Sequence, residues 1–279
     1  MMNIVFCLNK SYLKYFHIAI TSLYFHSQKK VINLYVISAD ITSNDIKELS
    51  INYSVNLISV SLDRFKTFEV NEHLSIETYF RLLIPELIEE DKCLYLDSDI
   101  VINGDVESLY NTEISSYLLA AVPERPSPHL NNKLSLPQDN KYFNAGVLLL
   151  NLKKLRKENV FNKAVDYIRE CPNSITYHDQ CAINWATYGS VLHLGTKYNV
   201  TKSFVNHSTY AAAVVIHFDG PIKPWHYNGR KELRLVYQKY LKMANPKYRA
   251  YDDLNIRQIL SRHVPNFLKR ILLRKLSRS

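Results

Sequence analysis

The first sixty residues constrain this chain most, because strand-length apolar blocks alternate there with helical patterning. NIVFCL at residues 3–8, VINLYVI at 31–37 and VNLISV at 55–60 are short, apolar and rich in β-branched residues. From Tyr12 to Phe25 apolar residues recur at helical spacing. Thr42 can cap a second helix running to about Ile51, with Asp45 three residues on in the manner of a capping box. The alternation predicts a βαβαβ unit and therefore a parallel, doubly wound sheet. Sheets of this kind bind ligands in crevices outside the carboxyl ends of their strands.

A later segment, LYLDSDIVI at residues 94–102, supplies chemistry at such an end. Cys93, Leu94, Tyr95 and Leu96 form a continuous apolar block suited to the middle of a parallel sheet. Asp97 and Asp99 emerge at its C-terminal end, spaced to aim two hard oxygens at one divalent cation of the kind a diphosphate needs. The same aspartates would also suit the start of a turn.

Composition narrows the function classes. The chain has 279 residues, of which 47% are hydrophobic and 22% charged, as expected of a globular protein able to bury a sizeable core. Only 6 glycines are present, and neither a P-loop nor a GxGxxG signature occurs, so phosphates must be held another way. Cys7, Cys93, Cys171 and Cys181 form no CxxC pair and read as buried thiols. No charged n-region with an apolar h-region opens the chain, and no apolar run nears the ~20 residues of a membrane span. A reduced, cytoplasmic protein is expected.

The net charge of +9 is unevenly placed. Beyond Leu254 lie seven of the 35 basic residues and none of the 26 acidic ones, leaving the body at 28 against 26. NFLKRILLRKLSRS mixes cations with Phe267, Leu268, Ile271, Leu272 and Leu276. We expect a main domain over residues 1–253 and a basic tail over 254–279 that lies as an amphipathic helix on the inner face of an anionic membrane. A solvated or dimer-packing C-terminal helix is the alternative for the tail. Nucleic acid is not an expected partner, because neither patterned aromatics nor a recognisable binding motif accompanies the charge.

After the aspartate segment the pattern predicts a helical turn near Val106 to Tyr110, a strand from Leu118 to Val122 and a long polar loop from Pro123 to Asn140. Loops of that length commonly serve as lids or binding loops. YFNAGVLLLNLKKL at residues 142–155 reads as a buried strand turning into a helix, and Ala213 to Phe218 as a further strand.

Five segments in order, TYFRL at 78–82, YLDSD at 95–99, YFNAGVLLLNL at 142–152, YHDQCAIN at 177–184 and HFDGPIKPWH at 217–226, together resemble glycosyltransferase family eight. These are retaining enzymes, lipooligosaccharide galactosyltransferases among them. The resemblance spans residues 3 to about 230. It implies a GT-A nucleotide-diphospho-sugar transferase fold of α/β class, with a Rossmann-like, mostly parallel central sheet and helices on both faces. It also implies transfer of a hexose, galactose or glucose, from a UDP-sugar to a saccharide or glycolipid acceptor, in lipopolysaccharide, capsule or related surface-glycan assembly.

Residue by residue, the resemblance makes Asp97, Asp99 and His217 the ligands of Mn²⁺, with Mg²⁺ as the alternative. An imidazole ligand favours manganese, since all-oxygen shells suit the harder ion. Lys223 would touch the donor phosphates, Gly220 would let the backbone approach them, and Ser98 lies between the two aspartates. Asp179 would bind sugar hydroxyls and Gln180 would stand beside the reacting carbon. Arg81 and Asn144 would complete the donor site, with Cys7, Asn9 and Ser11 around the uridine. Asn9 stands where an aspartate is common in the family, and its amide oxygen can still accept a hydrogen bond. Pro123 followed by Glu124 displaces an acid that family members often carry one residue earlier, and Cys181 replaces an aspartate.

Two alternatives fit the same residues. Asp97, Asp99 and Val101 also satisfy the DxDx[TV] pattern of haloacid-dehalogenase-like phosphatases, with Asp97 as nucleophile, although that motif normally opens its domain. A non-catalytic carbohydrate-binding relative is the other.

Overall fold

The computed structural model describes residues 1–27, 31–49, 54–68, 75–204 and 210–253. The βαβαβ unit forms as β1 (Met2–Cys7), α1 (Leu13–His26), β2 (Ile32–Ser38), α2 (Ser43–Glu48) and β3 (Val55–Ser59). Thr42 caps α2 as its sequence suggests: its hydroxyl accepts from Asp45 N–H, and the Asp45 carboxylate accepts from Thr42 N–H. The helix stops at Glu48, short of the expected Ile51, and the residues just beyond Leu49 lie outside the described set.

A 3-10 helix over Ile76–Leu83 runs into α3 (Ile84–Leu87), then β4 (Lys92–Leu96), β5 (Ile100–Ile102), α4 (Glu107–Tyr110) and β6 (Leu119–Pro123). The expected long loop is not structureless. It contains α5 (Pro128–Lys133), and the buried Asn131 side chain donates to the carbonyls of Gln138 and Asn140 at 3.1 and 2.8 Å, folding the segment on itself. Then come β7 (Phe143–Asn151), α6 (Leu152–Lys157), α7 (Val160–Glu170), α8 (His178–Ala186), β8 (Val191–His193), β9 (Val215–His217) and α9 (Lys231–Ala244).

The main sheet has the order β3-β2-β1-β4-β7-β6-β8. β1, β2, β3 and β4 run parallel, and β8 runs parallel to β6. β7 is antiparallel to both its neighbours, β4 and β6. Side chains alternate between two apolar cores: Val5, Cys7, Tyr95, Leu148 and Leu150 point to one face, and Ile4, Phe6, Leu94, Leu96 and Leu149 to the other. Burial on both faces is why these strands read as unbroken apolar runs. The strand expected over residues 213–218 is shorter, and it leaves the main sheet to pair antiparallel with β5, with Ile100 opposite His217. The chain separates into two compact units, Met1–Asp219 and Gly220–Ser279. Among the described residues no helix is long and apolar enough to cross a membrane.

Candidate active site

Asp97 and Asp99 stand directly after β4 and are held from both sides. Asp97 N–H donates to the Gly146 carbonyl of β7 at 2.8 Å, and Phe218 N–H donates to the Asp99 carbonyl at 2.9 Å. The β5–β9 ladder carries His217 to the same place. Its Nε2 lies 3.6 Å from Asp97 Oδ2 and 3.3 Å from Asp99 Oδ1, and one ligand atom from each of the three residues falls within 4.8 Å of the others.

Gly146 makes this convergence sterically allowed. A Cβ there would come within 2.3 Å of His217 Cε1, 2.7 Å of its Nδ1 and 2.8 Å of Asp97 Oδ2. Two carboxylates and an imidazole suit a borderline divalent cation, so the residues fit a metal of the expected kind. Burial alone would lower the His217 pKa, but the carboxylates of Asp99 and Asp97 outweigh it and hold it above 6.5.

Arg81 joins these aspartates to the expected sugar-side pair. A 3-10 helix has three residues per turn, so Thr78 and Arg81 lie on one face of Ile76–Leu83. Arg81, 7% exposed, sits with Nε 2.7 Å from Asp179 Oδ2 and Nη2 3.3 Å from Asp97 Oδ1, and its Nη1 donates to the Ala145 carbonyl at 2.6 Å. Thr78 accepts from Arg81 Nη2 at 3.2 Å and donates to Asp179 Oδ1 at 2.6 Å. Burial by itself would lower the guanidinium pKa; Asp179 and Asp97 reverse this, and the net shift is upward. Burial raises the Asp179 pKa, while Arg81 and Thr78 pull against it.

Asp179 and Gln180 lie in the first turn of α8, which begins at His178, where a φ of 45° turns the chain into the helix. Gln180 is pinned against β7: Ala145 N–H donates to its Oε1 at 3.0 Å, and its Nε2 donates to the Tyr142 hydroxyl at 3.2 Å. Asn144 is half-buried two residues from Gly146, and its amide donates to Glu124 Oε1 at 3.3 Å. The displaced acid thus faces the asparagine that the resemblance places at the donor.

Cys7 ends β1, beside β4, and its thiol is buried; burial pushes its pKa well up, Arg81 pulls it down, and Asp97 and Asp179 add to the rise. Asn9 and Ser11 are joined by a 2.6 Å hydrogen bond from the serine hydroxyl to the asparagine Oδ1, and Asn9 Nδ2 donates to Ser75 and Glu77. Ser98 is buried between the aspartates. Gly220 and Lys223 fall in the second unit. Gly220 has a φ of 81°, a conformation open to glycine, and Lys223 begins a tight turn in which His226 N–H donates to its carbonyl at 3.0 Å.

Sequence reasoning missed Thr78, Tyr95, Gly146 and Asn199. Tyr95 donates from its hydroxyl to Asp97 Oδ1, and Asn199 bonds His217. Only Gly146 carried a signal, since a glycine inside a strand often marks a close approach.

The family profile described as "Glycosyl transferase family 8" matches residues 3–229. General stress protein A of Bacillus subtilis (strain 168) is 24% identical over 86% of this chain and 93% of its own length. The lipopolysaccharide 1,3-galactosyltransferase of Salmonella typhimurium is 26% identical over 80% of this chain and 73% of its own. Among solved structures, the galactosyltransferase LgtC in complex with donor and acceptor sugar analogues superposes with a TM-score of 0.78 at 26% identity, covering 88% of this chain and 96% of LgtC. The phosphatase alternative falls with this match, and the chain belongs to glycosyl transferase family 8.

Proposed function

We propose that this glycosyltransferase is a retaining enzyme that moves a hexose from a UDP-sugar to a saccharide or glycolipid acceptor in bacterial surface-glycan assembly. The observation that carries the proposal is the Arg81 bridge, which ties a three-ligand cation site to a buried carboxylate and an anchored glutamine on one sheet end. The names of the Salmonella relative and of LgtC support a galactosyl donor, while an Escherichia coli relative named lipopolysaccharide 1,2-glucosyltransferase, 26% identical, supports glucose.

In this reading Asp97, Asp99 and His217 would hold Mn²⁺, favoured over Mg²⁺ by the imidazole ligand, and the ion would offset the negative charge of the diphosphate when bound. Asp179, fixed by Arg81 and Thr78, accepts hydrogen bonds from sugar hydroxyls. Gln180 is a poor nucleophile because its amide is neutral and its nitrogen lone pair is delocalised into the carbonyl, and its oxygen already accepts from Ala145 N–H. A front-face substitution accounts for retention: the bond from the sugar carbon to the UDP oxygen breaks as the acceptor oxygen bonds on the same face, and the acceptor proton passes to the departing phosphate. Positioning and charge stabilisation then do the catalysis, with Lys223 opposite the phosphates. The uridine lies against Cys7, Asn9 and Ser11 in the proposal.

The test is to incubate the protein with Mn²⁺ and, separately, UDP-, GDP- and dTDP-sugars, following donor hydrolysis and thermal shift. UDP-hexose should be hydrolysed and should raise the melting temperature only with metal present. Absence of both effects for every UDP-sugar would overturn the proposal.

A further inference from the structure

We infer that Asn199 is a positioning residue for the metal site: it fixes which ring nitrogen of His217 faces Asp97 and Asp99, and its own orientation is set by the Gly146 main chain acting through Asn144. The inference rests on the metal-dependent reading above and concerns a residue that the resemblance does not assign.

The Gly146 main-chain N–H has an unambiguous polarity. A backbone N–H can only donate, so the Asn144 side-chain atom 2.9 Å from Gly146 N is the amide oxygen. That same oxygen lies 2.9 Å from an Asn199 side-chain atom, which must therefore be Nδ2. The remaining Asn199 atom, Oδ1, then faces His217 Nδ1 at 3.1 Å. An amide oxygen only accepts, so Nδ1 carries the hydrogen and the Nε2 lone pair is left for the cation site. Glu124 fixes the same Asn144 orientation from the other end, since its carboxylate accepts from Asn144 Nδ2 at 3.3 Å. Asn199 is 0% exposed, so bulk water has no access to its amide.

The arrangement has a functional consequence. Asn144, expected at the donor sugar, and His217, expected at the metal, share one two-amide connection. Neither amide can turn over without breaking a bond to the other.

The test uses the purified full-length protein and Mn²⁺ alone, with binding read from the loss of the free Mn²⁺ paramagnetic resonance signal. Asn199→Ala removes the acceptor for Nδ1–H and should weaken Mn²⁺ binding about 10–100-fold, the range found for metal-site outer-shell partners. Asn199→Asp keeps an acceptor opposite Nδ1–H but loses the donor to Asn144, and should recover most of the affinity that Asn199→Ala loses. A merely structural role would not be rescued this way, because the aspartate buries a charge and breaks the Asn144 bond. Equal Mn²⁺ affinity in wild type and Asn199→Ala, or no recovery in a folded Asn199→Asp, overturns the inference alone. Wild-type protein that takes up no Mn²⁺ overturns the metal reading and the inference with it. If Asn199→Asp does not melt cooperatively, Asn144→Ala decides: it frees the Asn199 amide to turn, and unchanged Mn²⁺ affinity in that variant overturns the inference.

Discussion

A single missing methyl group sets the size of the candidate metal site. Any side chain at residue 146 would press on His217 and Asp97 at distances of 2.3 to 2.8 Å, and neither can retreat, since His217 is held by Asn199 and Asp97 by Arg81 and Tyr95. Gly146→Ala should therefore lower Mn²⁺ affinity at least about tenfold while the protein stays folded, because the overpacking costs only about 1–3 kcal/mol. Unaltered affinity by titration would show that the ligands have room to spare. A second prediction concerns pH. With no metal bound, the His217 pKa sits above 6.5 because Asp99 and Asp97 outweigh the effect of burial. The charged ring then stabilises the metal-free fold fully below pH 6.5, and that contribution is lost as pH rises through the raised value. A cation supplies the missing positive charge and competes with the proton for Nε2. Mn²⁺ should accordingly raise the melting temperature more at about pH 8 than at about pH 6. A larger shift on the acid side would count against His217 as a ligand.

At the scale of elements, two departures from a plain parallel sheet assemble the site. Because β7 is antiparallel to β4, its N-terminal end reaches the carboxyl end of β4, placing Asn144, Ala145 and Gly146 beside Asp97. The second departure is the separate β5–β9 pair, whose register sets Ile100 opposite His217. Proline lacks the N–H a ladder needs, so Ile216→Pro should break this pair and misplace His217. We expect Mn²⁺ binding to be lost while the sheet bearing β1 to β4 persists, read as a retained cooperative melt. Full retention of Mn²⁺ binding would mean that β9 does not place the ligand. The strand NAGVLLLN was legible from its apolar run, but its direction was not, because a strand buried on both faces reads the same in either sense.

For the whole molecule, family membership covers residues 3–229 and leaves the basic tail outside it. The tail, residues 254–279, also lies outside the described residues, so its membrane role stands as a proposal from charge and composition alone. Removing it should shift the protein from membranes to the soluble fraction and abolish co-sedimentation with anionic vesicles, since each nearby cation contributes about 1 kcal/mol. Sedimentation unaffected by the deletion would sink the idea. The charge balance supports this arrangement: with 28 basic and 26 acidic residues, the body has little net attraction of its own for an anionic surface.

How much was legible follows from the range over which each signal acts. Strand and helix identities, the Thr42 cap and the two aspartates are local properties, encoded in periodicity and short spacing, and could be read without any tertiary contact. His217, Asp179 and Arg81 entered through resemblance, since nothing in their own neighbourhoods says that they meet. Tertiary structure alone decided the direction of β7, the departure of β9 from the main sheet and the buried hydrogen bonds through Thr78 and Asn199. Such contacts join residues far apart in sequence, and their geometry follows from how whole strands pack and register, which no short stretch of sequence contains.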